Sequence, residues 1–208
     1  MHAIAFAADK HRNQRRKDAE ASPYINHPIA LANVLVNEAG IKDERVIIAA
    51  LLHDTIEDTQ TTKEELQAIF GKTVTKIVLE VTDDKMLAKA ERKRLQVEHA
   101  PSLSRRAKFV KLADKICNLR DIANNPPSNW PLRRRQEYFD WAKTVADGLR
   151  GANKKLEKLF DHAYSARPVF ARASRKIQQP TVAEAAADPK HFTREQIREA
   201  VRLASEKG

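Results

Sequence analysis

The chain has 208 residues, of which 42% are apolar and 32% charged, with a formal net charge of +10. Those proportions exclude a collagen-like or wholly disordered polymer and leave room for one compact domain plus an appendage. With only 5 glycines and 9 prolines and a dominance of Ala, Leu, Lys, Glu and Arg, turns that need positive φ are scarce and the fold expected is all-α.

The first expected helix runs from His2 to about Asn13 on Ala3, Ile4, Phe6, Ala7 and Ala8. It gives way to the basic run Arg15, Arg16, Lys17 and a polar loop to Pro23. The chain resumes at Tyr24-Ile-Asn-His27-Pro28, where Pro28 opens a helix to about Glu38 with His27 at its lip and Gly40 beyond its end. Asp43 is a good N-cap for a helix from Glu44 to about Glu57, whose middle, Val46 to Leu52, is apolar all round and so buried. Thr62 and Glu65 have capping-box spacing for a helix that stops near Gly71, and Val74 to Val81 forms another. A charged helix covers about Leu87 to Ala100 and stops at Pro101. Ser104 caps a long helix with Phe109, Leu112, Ile116, Leu119 and Ala123 at helical spacing, broken by Asn124-Asn-Pro-Pro127. Helices from about Leu132 to Ala146 and Asn153 to Tyr164 complete the compact part, residues 1–165. Residues 166–208 form a basic extension, in which Thr193 to Gln196 caps one amphipathic helix at about 194–206. No run approaches the ~18 apolar residues of a membrane span. Cys117 is the only cysteine and no secretory pattern opens the sequence, so a reducing, cytoplasmic setting is expected.

Positive charge attracts phosphates of any kind, whether nucleic acid, anionic lipid or a small polyphosphate. The sharper signal is His53-Asp54-Thr-Ile-Glu57-Asp58 at the end of the most apolar helix. At about 100° per residue, Glu57 falls about 40° from His53 and Asp58 about 40° from Asp54, so the four polar groups share one side. Clustered carboxylates at a helix C-terminus repel one another and oppose the macrodipole, so something positive belongs there. A divalent cation would answer, since imidazole and carboxylate are both good ligands; a solvated helix end is the plain alternative. Lys111, Asp114, Asn118 and Asp121 form a second polar stripe, at spacings of 3, 4 and 3, down an otherwise packing helix. His27 is the third piece, with capping of its own helix as its alternative role.

A histidine, then a His-Asp pair on a helix, then an aspartate on a later helix is the signature of HD-domain metal-dependent phosphohydrolases. Arg16-Lys17, Tyr24-Ile-Asn-His27-Pro28, His53 to Asp58, Val81-Thr-Asp-Asp84, Glu91 to Arg94 and Lys111 to Arg120 together resemble the hydrolase domain of the RelA/SpoT family. Among its members they are most similar to stand-alone small alarmone hydrolases of the metazoan SpoT type. The resemblance implies an HD-domain helical bundle with a manganese ion held by His27, His53, Asp54 and Asp114. It implies removal of the 3′-pyrophosphate from (p)ppGpp, with Glu57 and Asp58 positioning and activating the attacking water. Arg16, Lys17 and Asn118 would then surround the guanine nucleotide. Tyr24, Trp130, Arg134 and Tyr138 are further candidates for that pocket, although aromatic and Arg side chains there can equally pack. Asp121 stands where some relatives carry Thr.

The chemistry of the residues agrees with that implication. Two imidazoles and two carboxylates leave open positions on a six-coordinate ion, and Arg15, Arg16 and Lys17 make a flexible cationic rim for polyphosphate. The expected partner is a small-molecule guanine nucleotide rather than membrane or nucleic acid, and a homo-oligomer stays open. So do two other functions: an HD phosphohydrolase acting on the 2′-phosphate of NADPH, and a non-catalytic metal-containing binding module. His2, His99, His162 and His191 read as surface, His11 is undecided, Cys117 reads as a small buried hydrophobe, and Glu91 to Arg94 as solvated surface.

Overall fold

The computed structural model describes residues 1–169; the helix expected at about 194–206 and His191 lie outside the described residues. The helices are α1 (His2–Lys10), α2 (Asn26–Asn33), α3 (Glu44–Leu52), α4 (Thr55–Asp58) and α5 (Lys63–Val81), then α6 (Lys89–His99), α7 (Arg105–Asn124), α8 (Leu132–Gly148) and α9 (Lys154–Ser165). No strand occurs among the described residues beyond an isolated bridge between Arg15 and Pro23. The fold is all-α.

Local chemistry sets the helix starts. The carboxylate of Asp43 accepts from the Arg45 N–H at 3.0 Å, the hydroxyl of Thr62 from the Glu65 N–H at 3.1 Å, and that of Ser104 from the Ala107 N–H at 3.3 Å. The capping box at Thr62 is half made, because Glu65 turns outward to pair with Lys10 at 2.7 Å. Within α5 the break expected near Gly71 is a kink, with Gly71 at φ 80° joining two helical halves.

The long helix α7 is the axis of the bundle and packs against α2, α3, α5, α8 and α9. Phe109, Leu112, Ile116 and Leu119 are buried in it, as their spacing predicts. On α3 the buried residues are Val46, Ala49, Ala50, Leu51 and Leu52.

Two expectations need correction. The helix starting at Glu44 does not continue to Glu57: α3 ends at Leu52, His53 and Asp54 form a turn, and α4 begins at Thr55. The Thr55 hydroxyl donates back to the Leu52 carbonyl at 2.7 Å, and Asp54 starts a new turn whose carbonyl accepts from the Asp58 N–H at 2.8 Å. His53 keeps helical dihedrals, φ −58° and ψ −33°, and so continues the α3 spiral; the ladder opens at Asp54, with φ −98° and ψ −3°. Further, His27 is not outside its helix but in the first turn of α2, which starts at Asn26 and widens into a π-helical turn over Val34–Glu38.

Candidate active site

Three elements converge on a buried polar point. His27 comes from the first turn of α2, His53 and Asp54 from the turn between α3 and α4, and Asp114 from the middle of α7. His27 Nε2 lies 3.3 Å from Asp114 Oδ1 and 4.0 Å from Asp54 Oδ2, while His53 Nε2 lies 2.9 Å from Asp54 Oδ2 and 4.0 Å from Asp114 Oδ1. Ligand atoms sharing a centre at ~2.1 Å stand ~3–4 Å apart when adjacent, so these spacings suit one cation. The mutual closeness of ligand atoms is fullest for His27, His53 and Asp114, with Asp54 reaching both imidazoles by Oδ2.

The donor set fits a cation for a second reason. His53 Nδ1 donates to the Ala50 carbonyl at 2.8 Å, so Nε2 is the nitrogen that faces the cluster, buried and 2.9 Å from Asp54 Oδ2. Burial opposes a charged His53, yet the Asp54 and Asp114 carboxylates outweigh it and push the imidazole up to about 9. The pocket thus demands positive charge. Against the burial that would raise them, the His53 and His27 imidazoles hold Asp54 below the usual carboxylate range, and Lys115 with the same two imidazoles does so for Asp114. Lys115 Nζ sits 3.0 Å from Asp114 Oδ2, and Asn118 Nδ2 donates to Asp114 Oδ1 at 2.6 Å. Asn118 therefore orients a candidate ligand.

Glu57 and Asp58 enter the same polar cavity, of about 220 Å³. Burial raises the Glu57 carboxyl to about 7, a backbone hydrogen bond from Asp83 acts against this, and the Asp54, Asp83 and Asp58 carboxylates raise it further. Asp58 is held on several sides. Its backbone carbonyl accepts from Gln14 at 2.5 Å, the Tyr24 hydroxyl lies 3.2 Å from Oδ2, and Lys85 pairs with Oδ1. The Tyr24 hydroxyl also donates to Asp54 Oδ2 at 2.5 Å, so this tyrosine bridges the two carboxylates while lining the cavity.

A larger cavity of about 690 Å³ opens beside the polar one, and Arg16, Tyr24, His27, Asp58, Asn118 and Tyr138 border both. Lys17, Lys85 and Trp130 complete its basic and aromatic wall. Arg134 is outside that lining, stacked 4.4 Å over the Trp130 ring. Arg16 is not a flexible rim residue: it pairs with Asp121, approaches Asn118 Oδ1 at 3.5 Å and lies over the Tyr24 ring. Asp121 is thereby committed to Arg16, whereas Arg15 is exposed.

His2, His99 and His162 are exposed, as expected. His11 is buried, bonded through Nδ1 to Gln14 at 2.6 Å, and so stands behind the Gln14 contact to Asp58. Burial raises the Cys117 thiol, which suits a packed residue and not a nucleophile. The run Glu91 to Arg94 is not uniformly solvated: Arg92 turns inward, its Nη1 3.8 Å from Glu57 Oε1, and Lys93 lies 4.5 Å over the Trp141 ring. Lys85, Asp83, Arg92 and Gln14 are site residues that sequence reasoning missed. The Val81-Thr-Asp-Asp84 motif holds Asp83 and the run Glu91 to Arg94 holds Arg92, but neither named a contact, and nothing pointed to Gln14 or Lys85.

A family model described as HD domain matches residues 3–143. The zebrafish protein named guanosine-3′,5′-bis(diphosphate) 3′-pyrophosphohydrolase MESH1 is 58% identical over 164 residues, covering 77% of this chain and 91% of that one. Its human counterpart of the same name is 56% identical over 167 residues, covering 80% and 93%. A solved structure described as "A metazoan ortholog of SpoT hydrolyzes ppGpp and plays a role in starvation responses" superposes with a TM-score of 0.78 at 51% identity, covering 80% of this chain and 94% of that one. No described helix is long and apolar enough to cross a membrane. The chain belongs to the HD-domain family of metal-dependent hydrolases, in the branch related to RelA and SpoT.

Proposed function

We propose that the chain hydrolyses the 3′-pyrophosphate of guanosine tetra- or pentaphosphate, with a manganese ion held by His27, His53, Asp54 and Asp114. The observation that carries this reading is the adjacency of two cavities: a small polar one lined by the four candidate ligands and the Glu57–Asp58 pair, beside a larger one walled by Arg16, Lys17, Lys85 and Trp130. The names of the relatives support the substrate class.

A divalent ion bound at the ligand cluster supplies a water of lowered pKa and screens the phosphate oxygens. The protein's own groups do the rest. Glu57, whose carboxyl burial raises above the usual range, takes the proton of the attacking water, and Asp58 holds that water in line. Oxygen from water bonds to phosphorus as the bond from that phosphorus to the ribose 3′-oxygen breaks, the 3′-oxygen takes a proton from solvent and Glu57 returns its own to solvent, leaving a 3′-hydroxyl and free pyrophosphate. Arg16, Lys17 and Lys85 meet the polyphosphate, and Trp130 and Tyr138, whose ring centroids are 5.8 Å apart, offer stacking surface to the base. A guanine nucleotide substrate and a lone buried thiol are both consistent with a cytoplasmic protein.

The test is turnover by the purified chain with Mn²⁺ on ppGpp, NADPH and GDP in parallel. We expect GDP and pyrophosphate in equal amounts from ppGpp. Phosphate release from NADPH with ppGpp left intact would move the assignment to a 2′-phosphatase, and binding without turnover of either would make this a binding module.

A further inference from the structure

We propose that Asp83, clamped by Gln96 and Lys111, is a positioning residue that aims Glu57 through its backbone N–H. The inference rests on the hydrolase reading above and names the part of the chain that holds its base in place. Glu57 Oε2 accepts from the Asp83 N–H at 3.0 Å, its only hydrogen bond among the described residues, and Arg92 Nη1 stands off at 3.8 Å from Oε1. A backbone donor is only as well placed as its segment. The segment between α5 and α6 has no helical ladder to fix it.

Side chains from two neighbouring helices supply the missing restraint. Gln96 of α6 donates through Nε2 to Asp83 Oδ2 at 2.5 Å. Lys111 of α7 faces Asp83 Oδ1 at 4.0 Å and donates to the Val81 carbonyl, the last residue of α5, at 3.1 Å. Its side chain is only 10% exposed, and burying an ammonium is costly unless partners meet it. Both of its partners are the root of this loop. Two further polar atoms of α6, Arg92 Nε and Gln96 Oε1, are buried here without hydrogen bonds, so the face of α6 toward the loop stays polar although packing alone would favour apolar groups. The same loop carries Lys85 to Asp58, so shifting it would disturb the partners of both carboxylates together. Charged groups facing Glu57 are Asp54, Asp58, Asp83, Arg92 and Lys111. A displacement of ~1 Å in such a group can cost ~10²-fold in rate.

The experiment compares the full chain with Gln96→Leu, Asp83→Ala, Asp83→Asn and the Gln96→Leu/Asp83→Ala double variant. Three readouts are needed: metal content, kcat and KM on ppGpp with Mn²⁺, and the carboxyl titration of Glu57 by NMR in the metal-free protein. We expect kcat to fall about tenfold or more in Gln96→Leu and Asp83→Ala, with KM and metal content nearly unchanged. Asp83→Asn, which keeps an acceptor for Gln96, should recover most of the loss, and the double variant should be no slower than Asp83→Ala. The Glu57 titration should move upward in Gln96→Leu, because a donor to the ionised form has been weakened. Unchanged kcat and unchanged Glu57 titration in Gln96→Leu would overturn the proposal, as would rate losses that add in the double variant. If the parent chain leaves ppGpp intact, the hydrolase reading fails separately, and the Glu57 titration alone then decides whether the clamp exists.

Discussion

Glu57 shows what the site costs the fold. Its carboxyl is raised from 4.5 to about 7, with burial the largest cause. A folded pKa above the unfolded one means that the native state binds more protons between those values, so stability falls as pH rises from about 4.5 through about 7. The ionised form is the one a base needs, and it is the one the fold resists. Glu57→Gln should therefore lower kcat by ~10²-fold or more while leaving metal content intact. In the metal-free protein it should raise Tm at about pH 8 and have little effect at about pH 4, as measured by calorimetry. Equal Tm gains at both pH values would show that burial of this carboxyl is not what perturbs it.

At the scale of elements, much was legible in the sequence because it is local. Asp43, Thr62 and Ser104 cap their helices through hydrogen bonds two or three residues away, and the apolar period of α7 marks its buried face. His53, Asp54, Glu57 and Asp58 stood out for the same reason. What the sequence hid was the break after Leu52, which no Pro or Gly marks, and the tethers Gln14, Lys85 and Arg92, whose partners lie 44, 27 and 35 residues away in sequence. No periodicity encodes such contacts. Gly71 is a local case with a clear outcome. Its φ of 80° and ψ of 163° fall where side chains with a Cβ are strained, although no atom within 4 Å would obstruct one. Gly71→Ala should then cost about 1–3 kcal/mol through backbone strain alone, lowering Tm by roughly 3–10 °C, with kcat unchanged. A Tm equal to that of the parent would mean that α5 straightens without penalty.

For the molecule as a whole, the buried His–Asp cluster is the point at which α2, the α3–α4 turn and α7 meet, and charge there decides how firmly they hold together. Without a metal, a proton on His53 supplies the positive charge. Its pKa is raised from 6.5 to about 9, so this stabilisation is fully present below about 6.5 and is lost as pH rises through about 9. A divalent cation competes for the same nitrogen and binds better as that proton leaves. Metal-free protein should lose thermal stability between about pH 6.5 and 9, whereas protein with excess Mn²⁺ should lose much less. The metal-induced rise in Tm should accordingly be larger at about pH 8.5 than at about pH 6. At a free metal concentration near 100 times Kd, binding contributes ~2.7 kcal/mol, or roughly 5–10 °C for a domain of this size. Chelation should reverse the shift, and His53→Ala or Asp114→Ala should abolish it at both pH values. A rise in Tm of parental size in both variants would place the cation elsewhere in the molecule, because each truncation removes one of the four donors that meet where the three elements join.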